Sequence, residues 1–398
     1  MKKNVLFALT AILLTSCGGG NSPSSTSQIS EATSEATSSP TVTKIKDMNG
    51  REVEVTPGSY RKIVCIGAGA LRLYSYVGDN SLLAGVEDID NLAVTGRPAM
   101  FDGVARPYFI ANSEAYRGLA SCGKGGPKAQ AAEGEKILAC APDLVISEYE
   151  DVEKANALQE QVGVPVLTLK YGYGGVFDSS LEGSLTMLGK VLGKEKKAEK
   201  LIGYIKESKA DIEKRTKDLT PSEKVYICGL GNWGTTNHLM TAREYMPFDI
   251  ANIDNIGDEL LTGKGIAAVE LEKLVSRFSD IDKIVLDAAA IKNIKPFLEE
   301  NPKLFEGCKA VENGEVYLEM AYNAYYTNLE LALSNTYFAA KSVYPEAFGD
   351  IEIKSKLDEV TEAFLGKKLA DDIYTYPQSY GGYQKISDLV SFVNEKVA

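Results

Sequence analysis

The chain has 398 residues, 44% of them hydrophobic and 25% charged, with 43 Lys and Arg against 55 Asp and Glu and a formal net charge of -12. That is more chain than one hydrophobic core normally serves, so two lobes are expected. The acidic balance argues against nucleic acid and against broad contact with anionic lipid, and leaves a local cationic pocket open. Taken from the start, Met1-Lys2-Lys3 is a basic segment, and Val5 to Thr15 is an apolar run too short to span a bilayer. The run ends in Leu14-Thr15-Ser16-Cys17, small residues before a cysteine, as in a bacterial lipoprotein signal. On that reading residues 1–16 are removed and Cys17 carries the lipid that holds the protein outside the cell membrane. An ordinary secretory signal is the alternative. Removal takes Lys2 and Lys3 and no acids, moving the net charge from -12 to -14. Residues 17–43 are mostly Gly, Ser, Thr, Asn, Pro, Ala and Glu, which predicts a flexible tether.

The folded part carries a weak internal repeat. Lys62-Ile63-Val64-Cys65-Ile66-Gly67-Ala68-Gly69 resembles Lys224-Val225-Tyr226-Ile227-Cys228-Gly229-Leu230-Gly231, each a buried-strand pattern entering a glycine turn. Glu135-Lys136-Ile137-Leu138 stands eight residues before Asp143, and Glu272-Lys273-Leu274-Val275 eight before Asp280. Each half therefore reads as strand, glycine turn, helices, then a helix feeding another buried strand. Such alternation predicts an α/β fold of two lobes, each a mainly parallel sheet flanked by helices. The lobes are expected at 44–177 and 223–398. Between them, 178–222 is helical in pattern, and a single helix of about 25 residues, about 37 Å long, would act as one long rigid strut. Five cysteines besides Cys17 show no CxxC or zinc spacing, and Cys65 and Cys228 read as small core residues.

These residues carry a resemblance. The duplicated lobes, the strut, Asp47-Met48-Asn49-Gly50-Arg51-Glu52-Val53 and Ala141-Pro142-Asp143-Leu144-Val145-Ile146 resemble the helical-backbone class of ABC-transporter solute-binding proteins. The closer likeness is to the branch that takes up ferric siderophores, haem or cobalamin. Ser279-Asp280 stands where the family usually has Pro-Asp. The resemblance implies a receptor, not an enzyme, with no cofactor, acting as a monomer and delivering ligand to permease subunits. It also implies ligand capture between the lobes, at the C-terminal ends of the strands, in keeping with open α/β sheets generally. An acidic residue on the tip of each lobe docks with the permease in that family; Glu135 and Glu272 match by motif. The bland reading is a favourable charge in a first helical turn.

Segments after the strands supply the ligand-binding candidates Arg72, Arg106, Tyr108, Tyr149, Tyr173, Trp233, His238, Arg243, Tyr322, Tyr325 and Tyr326. Tyrosine offers a flat face with a polar tip, and arginine grips oxyanions through a planar fork. Together they suit an anionic or oxygen-rich ligand, such as an iron complex; ordinary core or surface positions are the alternative for most of the tyrosines. One histidine is too few for a free zinc or manganese site. His238 is open to three roles: axial ligand to haem, donor to an oxyanion, or surface loop residue. A compact tetrahedral oxyanion, molybdate or tungstate, is the second ligand class. An enzyme that modifies its ligand on this fold is a third reading, weakened because no Gly-x-Ser-x-Gly elbow accompanies His238.

Overall fold

The computed structural model describes residues 41–126, 131–149, 151–171, 175–232 and 236–397. The leader, Cys17 and most of the tether lie outside the described residues.

Polar and apolar residues alternate in the first two strands, β1 (Thr43–Lys46) and β2 (Glu52–Val55), which pair antiparallel and bury Ile45, Val53 and Val55. The Asp47-x-x-Gly-Arg run between them is a clasp. Asp47 Oδ1 accepts from the backbone N–H groups of Asn49 (3.0 Å) and Arg51 (2.9 Å), and Arg51 Nε donates to Asn156 Oδ1 (2.8 Å).

The first lobe contains β3 (Ile63–Ile66), β4 (Leu83–Glu87), β5 (Ala120–Gly123), β6 (Leu144–Ser147) and β7 (Val166–Thr168). They form a wholly parallel sheet in the order β5-β4-β3-β6-β7. Its helices are α1 (Ala70–Val77), α2 (Pro107–Tyr116), α3 (Gly134–Ala139) and α4 (Val152–Val162). The second lobe contains β8 (Lys224–Cys228), β9 (Met240–Arg243), β10 (Asp254–Asn255), β11 (Gly265–Ala268), β12 (Lys283–Asp287), β13 (Val316–Glu319) and β14 (Gln384–Ile386). Its main sheet runs β10-β8-β12-β13-β14, parallel except for β14, while β9 and β11 form a separate antiparallel pair.

The repeat is real at the level of backbone angles. Gly67 and Gly229, matched in sequence, have φ of +87° and +89°, a region that residues with a Cβ avoid. One part of the sequence alignment needs correction. Asp143 accepts from Arg61 N (2.7 Å) and Lys62 N (2.9 Å), tying the start of β6 to that of β3. Its counterpart is Asp282, which accepts from Lys224 N at 2.7 Å, and not Asp280, which pairs with Arg277. The second half carries two extra residues there, so equal spacing misplaced the acid.

The connection also differs from a single rod. It is a helical hairpin, α5 (Ser179–Leu192) and α6 (Glu195–Thr216), broken at Gly193 with φ +63°. Lys206 Nζ lies 2.6 Å from Glu182 Oε1 across the hairpin. The strut is α6, whose 22 residues span about 33 Å. It touches the first lobe through Lys197 Nζ, which donates to Gly78 O, and the second through Arg215, paired with Asp350 at 2.6 Å.

Separate cores were expected for the two lobes, yet the main core crosses between them. The remaining helices are α7 (Met246–Ile250), α8 (Gly257–Leu260), α9 (Leu271–Val275), α10 (Ile291–Glu300), α11 (Lys309–Glu312), α12 (Leu329–Val343), α13 (Ile353–Leu365), α14 (Ala370–Thr375) and α15 (Leu389–Lys396). Phe364 of α13 stands edge-on to Tyr76 of α1, with centroids 5.0 Å apart. Leu73, Tyr74, Leu329, Leu333 and Val360 belong to the same buried cluster. Cys65, Cys122, Cys140, Cys228 and Cys308 are all free and buried, so Cys65 and Cys228 are core residues as expected.

Candidate ligand-binding cleft

Parallel strands in each lobe end in turns that face the other lobe. In the first, β3 leads into Gly67, whose N–H donates to Glu87 Oε1 at 3.1 Å, and then into Gly69 at φ +100°. A Cβ on Gly69 would lie 1.9 Å from the ring of Tyr171, so only glycine lets that ring close over the start of α1. In the second, β13 runs into residues 320–328, a turn closed by the Asn323–Thr327 bridge. Tyr325 and Tyr326 at its tip have φ of +51° and +73°.

That turn inserts into the first lobe. The Tyr325 hydroxyl donates to Glu87 Oε2 (2.7 Å) and accepts from Gly126 N (3.1 Å). Burial raises the Glu87 carboxyl to about 7, while the bonds from Tyr325 and Gly67 hold it lower than burial alone would. Tyr326, half-buried, sits edge-on to Tyr171 at 4.6 Å. The Arg72 guanidinium closes the junction. Its Nη2 donates to Ala324 O (2.8 Å) and Asn328 Oδ1 (2.7 Å); its Nη1 donates to Tyr171 Oη and to the carbonyls of Tyr325 and Thr327. Asn328 Nδ2 in turn donates to Ala105 O (3.1 Å).

The predicted residues therefore fall into groups. Arg72, Tyr325 and Tyr326 come together at the junction. Arg72 is fully buried and both terminal nitrogens are occupied by protein acceptors, so it has no fork to offer a ligand here. Arg106 and Tyr108 form a buried cluster with Asp90, at 2.6 Å and 2.8 Å from Asp90 Oδ1. Arg72 lies over the Tyr108 ring at 4.8 Å, so the two groups touch. Tyr322 is buried against Tyr245, and its N–H donates to Asp287 Oδ2 at 2.8 Å. Tyr149, half-buried after β6, keeps an accessible edge.

Two candidates lie elsewhere. Arg243 is on β9, outside the main sheet, and donates to Leu261 O at 2.9 Å. His238 is not a surface loop residue: it is 1% exposed, edge-on to Phe297 (4.8 Å) and Phe305 (5.8 Å). Burial lowers its pKa to about 4, so the imidazole is neutral. Tyr173 and Trp233 lie outside the described residues.

Glu135 and Glu272 are exposed in the first turns of α3 and α9, the helices that feed β6 and β12. Each has an exposed apolar neighbour one turn on, Leu138 and Val275. Sequence reasoning missed Glu87, the acceptor at the centre of the junction; its only signal was its place at the end of the Leu83–Glu87 strand. A hollow of about 300 Å³ lined by Tyr60, Arg61, Tyr74, Asp79 and Lys194 lies at the other end of the first lobe, before β3 begins, and is remote from the strand ends.

With this arrangement in view, the family model for periplasmic binding proteins matches residues 104–320, more than half of the chain. The chain belongs to the periplasmic binding protein family. This receptor is the extracytoplasmic solute-binding component of an ABC importer, in a family that binds its solutes without transforming them. Its fold is shared with a periplasmic solute-binding protein of Veillonella parvula at a TM-score of 0.63 and 19% identity, covering 90% of this chain and 100% of that one. The molybdate-bound periplasmic binding protein MolA of Haemophilus influenzae matches at 0.62 and 16%, over 82% and 98% of the two chains. The Helicobacter pylori protein Ceue with Ni(II) bound matches at 0.56 and 17%, over 81% and 96%. Comparison with curated proteins finds no match.

Proposed function

We propose that this receptor captures an iron complex, a ferric siderophore, haem or related chelate, between its lobes and delivers it to the permease. The observation that carries the reading is the occupation of the cleft's arginines. Arg72 is bonded to the 324–328 turn and Arg106 to Asp90, so neither is a ready grip for a compact oxyanion. The single histidine is enclosed by Phe297 and Phe305, and no cluster of three or more His, Cys, Asp or Glu side chains fit for a metal ion occurs among the described residues. A ligand whose metal is already satisfied by its own chelator needs neither group. The half-buried edges of Tyr149 and Tyr326 suit the flat faces of such a ligand. Tyr173 and Trp233 are further contacts in this proposal, Cys17 is the lipid anchor, and Glu135 and Glu272 dock with the permease.

A second reading, molybdate or tungstate, draws on the likeness in fold to the molybdate-bound protein of Haemophilus influenzae. Native mass spectrometry of the domain without leader and tether separates the two, using ferric chelates, haem, cobalamin, molybdate and tungstate as the panel. Retention of a chelate of several hundred daltons is expected. Retention of an oxyanion alone overturns the ligand assignment and keeps the receptor.

A further inference from the structure

Two consecutive left-handed tyrosines call for an explanation. That backbone conformation is cheap for Asn-Gly and costs residues with bulky side chains. Yet Tyr325 and Tyr326 both adopt it, at φ of +51° and +73°, at a turn that joins the second lobe to the strand ends of the first. Strain of this kind persists only where the surroundings over-determine it. Here the surroundings are the bonds of the Tyr325 hydroxyl to Glu87 and Gly126, the Ala324 N–H to Tyr326 O bond of 2.9 Å, and above all one side chain. Arg72 donates to the carbonyls of Ala324, Tyr325 and Thr327, the backbone on both sides of the strained pair, and to Asn328 Oδ1. It also donates to the hydroxyl of Tyr171, the ring on which Tyr326 stands edge-on.

We infer that Arg72 is a positioning residue: it caps the carbonyls of Ala324, Tyr325 and Thr327, holds the turn in its left-handed form, and thereby sets the ring of Tyr326 as a preformed wall of the interlobe cleft. The inference rests on the reading that the cleft binds ligand, but the positioning step does not need a ligand to be seen. Lysine at the same place keeps the charge and cannot reach the five acceptors, because an ammonium has three donors on one atom and the guanidinium presents a fork. Glycine at 326 adopts φ +73° unaided.

The test is amide hydrogen exchange on the full mature chain without ligand, for the unaltered protein, Arg72→Lys, Tyr326→Gly and the double variant, with binding of a ferric trihydroxamate chelate measured in parallel. In Arg72→Lys, amides of 321–328 are expected to exchange about tenfold faster, the equivalent of one charge-assisted hydrogen bond, while β12 and α13 keep their protection. Adding Tyr326→Gly is expected to restore slow exchange in the turn without restoring chelate affinity. Should Arg72→Lys fail to fold, Tyr326→Gly alone still decides: the turn is expected to stay protected while the chelate binds at least about tenfold more weakly. If the unaltered chain retains no chelate but the exchange pattern and its rescue appear, the ligand assignment fails and the positioning role stands. Unchanged exchange at 321–328 in Arg72→Lys, uniform loosening of both lobes, or a Tyr326→Gly turn that loses protection would overturn the inference.

Discussion

Removing the Tyr325 hydroxyl tests the lobe junction directly, and its effect should depend on pH. In Tyr325→Phe the ring and its packing remain, but Glu87 Oε2 loses its donor and Gly126 N–H loses its acceptor. Above the Glu87 pKa of about 7 the lost bond is to a buried carboxylate, a class of bond that contributes about 1.5–3 kcal/mol. The orphaned Gly126 N–H adds about 1 kcal/mol or more. The expected loss is therefore about 3 kcal/mol at pH 8.5. At pH 5.5 Glu87 is protonated, the bond is between neutral groups, and the loss, with Gly126 still orphaned, should fall to about 2 kcal/mol. The sign for the unaltered protein follows from the raised carboxyl. The native state holds the Glu87 proton more tightly than the unfolded chain, so this group's contribution is full below pH 4.5 and is lost as pH rises towards 7. The total is about 3 kcal/mol for a pKa moved from 4.5 to about 7. Urea unfolding of the unaltered chain, Tyr325→Phe, Glu87→Gln and the double variant at both pH values measures this. Equal losses for Tyr325→Phe at pH 5.5 and 8.5, or a pH difference that survives in the Glu87→Gln background, would refute the reasoning.

His238 should act with the opposite sign. Its folded-state pKa is about 4 against 6.5, so stability is full above pH 6.5 and falls by up to about 3 kcal/mol as pH drops through the window to 4. Thermal melts of His238→Met should show a gain over the unaltered chain at pH 4.5 that is absent at pH 8; a gain equal at both values counts against a neutral buried imidazole. Gly69→Ala should cost about 3 kcal/mol or more in denaturant melts, because its Cβ would lie 1.9 Å from the Tyr171 ring at φ +100°. A cost below about 1 kcal/mol would mean the ring moves aside freely. Glu135→Ala and Glu272→Ala should leave chelate affinity within about twofold and impair uptake by cells, since both side chains are exposed and remote from the junction; loss of affinity would argue against docking.

Much of the architecture could be read from residue patterns. The buried runs at Ile63–Ile66 and 225–228, each short, rich in β-branched residues and followed by glycine, announce strands of a sheet covered on both faces. Helical spacing at Ala198, Leu201 and Ile205 announces α6 in the same way. The break at Gly193 was not legible as a reversal, because a glycine between two helical patterns is compatible with a bend, a cap or a hairpin; the Lys206–Glu182 contact selects the hairpin. The candidate site was read less well for a related reason. Residue type shows that an arginine can grip an anion, but which acceptors lie around it is a matter of long-range packing. Arg72 meets carbonyls more than 250 residues away, and four of its five acceptors belong to a turn whose tyrosines give no turn signal at all. The sequence leaves His238 open to three roles, and its neighbours in space, Phe297 and Phe305, lie too far along the chain to be read from it.

The core shared between the lobes has a consequence for how the chain acquires its shape. Helix α1 is formed early in the sequence, but Tyr76 is covered by Phe364, and four of the five acceptors of Arg72 belong to residues 324–328. A nascent or truncated chain that stops after α6 would thus leave the Arg72 guanidinium without four of its acceptors and the Tyr76 ring without Phe364. The last burial around α1 therefore waits for α13 to arrive, so the first lobe reaches its final packing only when the C-terminal helices are in place.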